Sequence, residues 1–206
     1  MRMILCLTLM VLGSTLIAQE LTPKLAEKAK KNAALEIKNL PAKGWKVNGL
    51  SMSFEEMVTK AWEKRYSMAN EKTPYYVAGY GNGNGKTVEE ATENAIKKAK
   101  AQLPGLSIMY FSMWNTASDY SEKEKRKVDQ AIAKAEDEIT AALSKTEQAP
   151  DFSIVREKGG KYKVSVRFFW DQMKVRKQTR EIIIQELAKL TDWDRDKMIK
   201  VLTYEQ

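Results

Sequence analysis

Apolar and polar positions alternate most clearly near the C-terminal third of the chain. Tyr162, Val164, Val166, Phe168 and Trp170 alternate with Lys161, Lys163, Ser165 and Arg167, a period of two that predicts a strand with one buried face. Residues 152–157 form a second extended run. The intervening Lys158-Gly159-Gly160 supplies a turn, so the pair reads as a β-hairpin.

Helical spacing marks the rest. Ser53-Phe-Glu-Glu56 has capping-box order, and Met57, Ala61, Trp62, Tyr66 and Met68 recur behind it, which predicts a short helix over 53–69. Residues 74–80 have the aromatic and β-branched bias of a strand, ended by the glycine-rich stretch 81–85. Thr87-Val-Glu-Glu90 is a second capping box. It opens a helix with Val88, Ala91, Ala95, Ala99 and Leu103 on one stripe, narrow enough for close approach to a sheet. Pro104-Gly105 should stop or kink that helix. Residues 106–114 are apolar and fit either a buried strand or a helix packed all round. Residues 119–145 carry Val128, Ile132, Ala135, Ile139, Ala142 and Leu143 along one face, and residues 172–190 carry Ile183, Leu187 and Leu190. A last short helix is expected to start at Thr191-Asp192 and run through Trp193, Ile199 and Leu202.

The segment before residue 51 is different. Residues 20–38 hold lysines among alanines, bracketed by Pro23 and Pro41, and predict a mobile helix or leader outside the core. Residues 44–49 are flanked by glycines and read as extended. Residues 1–18 have the form of a signal peptide: Arg2, an apolar run over 3–12, then Gly13-Ser14 and Ala18 before Gln19. The run is too short for a membrane-spanning helix, which takes about 20 residues; the alternative is an uncleaved N-terminal anchor. Cys6, the single cysteine, lies inside the apolar run and not after it, so it is not placed for lipid attachment. The expected organisation is therefore a signal at 1–18, a helical and extended leader at 19–50, and one domain at 51–206. Its fold class is α+β: a small antiparallel sheet including the hairpin, with several helices packed on one face.

Composition narrows the chemistry. Histidine is absent, and removal of the signal leaves no cysteine, which excludes disulfides, His-based triads, thiol nucleophiles and ordinary zinc sites. No cofactor is implied. The carboxylate pairs Glu55/Glu56 and Glu89/Glu90 are explained as helix caps, so an enzyme is not the expectation. Residues 79–87 invite comparison with a phosphate loop, but the motif needs glycine five positions before Gly85, where Tyr80 stands. Asp192-Trp-Asp-Arg-Asp196 resembles the start of a calcium loop, yet Lys197 and Thr203 occupy its glycine and glutamate positions.

Formal charge is +8, and loss of Arg2 with the signal leaves +7. For an exported chain such an excess points to anionic envelope material (lipid head groups, polysaccharide or protein) and not to nucleic acid. Lys174, Lys177 and Arg180 follow at i, i+3 spacing and form a candidate cationic ridge; the alternative, for these three and for the basic excess as a whole, is side chains that merely solvate helix faces. Tyr75, Tyr76, Tyr80 and Trp114 are the candidate aromatics of an alternative ligand pocket.

Tyr75-Tyr-Val-Ala-Gly-Tyr-Gly, followed by Thr87 and the stripe Ala91, Ala95, Ala99, Leu103, resembles the lipoprotein-20-like bacterial envelope proteins, related to the N-terminal module of a flagellar assembly protein. The similarity spans most of 53–190. It implies a periplasmic or outer-membrane-associated α+β domain without established catalysis, and carries over no functional residue. The expected function is a non-enzymatic envelope protein binding another envelope component. The alternative is a soluble periplasmic binder of a small molecule or glycan. After signal removal no transmembrane span is expected.

Overall fold

The computed structural model describes residues 21–203, so the signal-peptide reading and Cys6 lie outside the described residues. The elements are α1 (Pro23–Ala42), β1 (Lys46–Val47), α2 (Phe54–Tyr66), β2 (Tyr76–Gly85), α3 (Val88–Lys100), α4 (Gln102–Ala117), α5 (Glu122–Ser144), β3 (Phe152–Lys158), β4 (Lys161–Asp171), α6 (Gln172–Leu190) and α7 (Arg195–Val201). The four strands form one antiparallel sheet in the order β1-β3-β4-β2, which makes the fold α+β. No described helix is long and apolar enough to cross a membrane.

The hairpin forms as its alternation predicts. Gly159 and Gly160 both take positive φ, at 61° and 67°, the backbone that a tight hairpin turn requires and that residues with a Cβ resist. On β4, Val164, Val166, Phe168 and Trp170 are buried on one face against α3, α5 and α6. α3 approaches closely because of what faces it on β2. There the expected loop 81–85 is instead strand, paired with β4 through Gly85↔Tyr162. Gly79, Gly81, Gly83 and Gly85 alternate toward α3, and a Cβ at Gly83 would lie 2.5 Å from the Ala95 nitrogen. The glycines here serve contact, not a turn. Thr87 caps α3 as expected, accepting from the Glu90 N–H at 3.1 Å.

Several helices do pack on one face, but the opposite face is not open. Phe152, Ile154 and Phe169 point there into a second core with Met57, Val58 and Ala61 of α2 and Ala33 of α1. Residues 21–50, the described part of the expected 19–50 leader, are therefore packed with the rest of the fold and do not stand apart from it. α1 packs along α2 and buries Ala29 and Ala33, while β1 pairs with β3. Glu36 of α1 takes the Arg167 guanidinium of β4 in a two-point ion pair and accepts from Trp62 Nε1 at 2.7 Å. α1 is thus fastened both by this polar contact and by Ala33, Ile37 and Leu40 packed into the second core; an apolar periodicity does not register the polar part.

Residues 106–114 resolve as helix. Pro104 and Gly105 sit in the first turn of α4, where a missing N–H costs no intrahelical bond. Within 119–145 the chain forms α5, Glu122–Ser144, whose Ser121–Glu124 capping box completes its start. The last helix begins later than Thr191-Asp192, capped by Asp194.

Candidate functional site

β4 runs directly into α6, and the junction sets the site. Asp171 accepts from the backbone N–H groups of Met173 and Lys174 at 2.9 and 3.1 Å, fixing the first turn of the helix. From that turn Met173, Lys174, Arg176, Lys177 and Arg180 line a cleft of about 750 Å³. The loop between α2 and β2 lines it as well, with Lys72 and Glu71 among its residues. Tyr110 and Phe111 of α4, with Leu202 and Thr203 after α7, complete the lining.

The loop is ordered by one side chain and by its own backbone. Asn70 Oδ1 accepts from the backbone N–H of Lys72 at 3.0 Å and of Thr73 at 2.9 Å, and the Ala69 N–H donates to the Thr73 carbonyl at 2.8 Å. Lys72 is therefore carried on a fixed turn beside α6.

Five cations, Lys72, Lys174, Arg176, Lys177 and Arg180, meet one carboxylate, Glu71, in the lining. None of the five takes part in an ion pair among the described residues. The two arginines instead have neutral partners. Arg180 Nη1 donates to Thr203 Oγ1 at 3.2 Å. Arg176 lies with its guanidinium carbon 3.5 Å from the Tyr110 ring centre. The Gln172 carboxamide, turned so that its nitrogen meets the Pro74 carbonyl, accepts from Arg176 Nη2 at 2.6 Å. The Nε atoms of both arginines are buried without an acceptor. Burial pushes the Arg176 guanidinium below its ordinary range, partly offset by Tyr110. A half-buried cation held without a counter-charge is costly, and an incoming anion relieves that cost. Chemically, the cleft is equipped to hold phosphate, sulfate or carboxylate groups through bidentate and point-charge contacts.

The predicted ridge Lys174, Lys177 and Arg180 is brought together here. Lys174 and Lys177 also border a shallower groove of about 490 Å³ that carries Glu138 and Glu181, so they stand on a divide between a cationic and a mixed surface. Arg176 belongs to the same basic run, yet it falls off the i, i+3 edge. Lys72 arrives from a remote loop for which the sequence holds no signal.

The four candidate aromatics do not line the cleft. Tyr76 packs edge-on against Tyr75 and Phe169, and its hydroxyl pKa is raised by burial and by nearby Tyr75, Asp151 and Asp171. Tyr80 is exposed and holds Arg65 over its ring and at its hydroxyl. Trp114 donates from Nε1 to the Val201 carbonyl at 3.2 Å, joining α4 to the end of α7. Of the remaining motif-like segments, Glu56 pairs with Lys60 at 2.7 Å, and Glu90 accepts from the Lys86 N–H. Asp194 caps α7 through the Lys197 N–H at 2.7 Å. Among the described residues no group of three or more acidic side chains is placed to hold a metal ion.

Comparison with protein-family models, with curated proteins and with solved structures finds no match to this chain.

Proposed function

We propose that this chain is a non-enzymatic protein of the bacterial cell envelope that binds an anionic envelope component in the cleft beside α6. The observation that carries the reading is the convergence of Lys72, Lys174, Arg176, Lys177 and Arg180 on one cavity with a single lining carboxylate. Long-range attraction from the basic excess steers an anion to the surface, and the partly desolvated arginines hold it there. Export rests on the N-terminal pattern of residues 1–18, and an envelope role agrees with the resemblance to lipoprotein-20-like proteins. The absence of histidine removes the commonest general base, which favours binding over catalysis.

Co-sedimentation of residues 19–206 with isolated envelope fractions tests this. Pelleting at low salt that is reversed at high salt supports it, because exposed charges are screened over roughly 8–10 Å at 0.1–0.15 M. Replacing Lys174, Lys177 and Arg180 together by glutamate should abolish that pelleting. Unchanged pelleting of the triple variant removes the cleft from the account.

A further inference from the structure

α4 is the one described helix without a charged residue, sixteen positions from Gln102 to Ala117. Its inner side is accounted for: Leu103, Phe111 and Asn115 are buried, and Ser107 bonds Thr179 of α6 at 2.7 Å. Its outer side is not. Met109 and Met113 stand one turn apart with relative exposures of 51% and 64%, far above the methionines of the core. On a helix Met113 lies between Met109 and Tyr110 in angle, and Tyr110 already lines the cationic cleft. Across the cleft Met173 is 46% exposed on α6. Met173 thus lines the cleft with the five cations, and Met109 and Met113 extend the exposed apolar surface along α4 on the side of Tyr110.

We infer that this face docks on an anionic phospholipid bilayer, with lipid phosphates entering the cleft and Met109, Met113 and Met173 entering the acyl boundary. The inference rests on the anion-binding reading above and specifies its source. A free anion would require the cations alone and leaves an uncharged outward helix face unexplained. A lipid surface presents phosphate and hydrocarbon within a few ångströms of each other, matching both halves of the patch. Charge complementarity selects an anionic membrane, and no described helix is long and apolar enough to cross one.

The test uses residues 19–206, which hold every described element, in flotation with vesicles of phosphatidylcholine alone or with phosphatidylglycerol. A parallel arm titrates inorganic tripolyphosphate. The protein should float with the phosphatidylglycerol vesicles only. Lys174→Glu with Lys177→Glu should weaken flotation by about 25-fold or more, since each cation near such a surface contributes about fivefold. Met109→Ser with Met113→Ser, both at exposed positions, should weaken flotation several-fold and leave tripolyphosphate binding unchanged. Tripolyphosphate binding without flotation overturns the lipid inference and leaves the cleft reading standing. Flotation undiminished in the methionine variant overturns it as well, because charge alone then suffices. Failure in both arms overturns both readings.

Discussion

The Arg176 guanidinium stacks on Tyr110 with its central carbon 3.5 Å from the ring centre, joining α6 to α4 across the wall of the cleft. The ring face supplies negative quadrupole where a carboxylate would otherwise be expected, so the cation is positioned while remaining available to an anion. Tyr110→Phe keeps that face and should leave stability and anion binding close to wild type. Tyr110→Ala should cost about 2 kcal/mol in urea denaturation and reduce anion affinity as Arg176 loses its support. Equal behaviour of the two variants would mean that the stacking does not position Arg176.

The glycines of β2 yield a prediction about the fold. A Cβ at Gly81 would meet the Ala95 carbonyl, with the carbonyl carbon at 2.8 Å and the Ala99 nitrogen at 3.0 Å, all backbone atoms that cannot step aside. Gly81→Ala should therefore destabilise by about 3 kcal/mol, at the upper end of overpacking costs. Gly105, inside α4 with nothing within 4 Å of an added methyl, is the control: Gly105→Ala should stabilise by about 0.5–1 kcal/mol. Thermal melts of the two variants check both signs.

Much of this architecture is legible in the sequence, and the failures have physical causes. The β4 alternation, the Ser53 and Thr87 caps and the alanine stripe of α3 all correspond to formed elements because each is a local, periodic signal. The glycine strand is hidden because glycine marks turns and close approaches alike. Only the partner helix, seen in three dimensions, distinguishes them. The packing of α1 is hidden because small Ala29 and Ala33, partly buried Ile37 and Leu40, and the polar Glu36 contact share the work, so no wide apolar stripe stands out among the lysines. In the cleft, Lys174, Lys177 and Arg180 share a helix edge and can be grouped, whereas Lys72 is placed by the loop fold and Arg176 by a ring on another helix.

The attachment of α1 leads to a further expectation. Glu36 and Arg167 are both mostly buried, with side-chain exposures of 20% and 16%, and Arg167 also lies 4.0 Å over the Phe152 ring. Glu36→Ala leaves that guanidinium without its counter-charge and should cost about 3 kcal/mol. Hydrogen exchange should show α1 opening first. Protection of α1 equal to wild type would contradict the role given to this pair.

Acid should loosen the α5–α7 contact. Hydrogen bonds from Lys197 and Ser121 hold the Glu124 carboxyl down to about 2, well below its ordinary 4.5. A carboxylate depressed on folding stabilises fully above its unfolded pKa, and that contribution is lost as pH falls from about 4.5 toward 2. Glu124→Gln should melt below wild type at neutral pH and converge with it near pH 2. A melting difference that does not change with pH would contradict the coupling.

The most direct test of the anion-binding cleft is an amide chemical-shift titration of isotope-labelled residues 19–206 with inorganic tripolyphosphate at low salt. The predicted result is saturable shifts concentrated at Lys72, Lys174, Arg176, Lys177 and Arg180, reduced as salt is raised. Shifts spread over the lysines of α1 and α3, or none at these five positions, would contradict it.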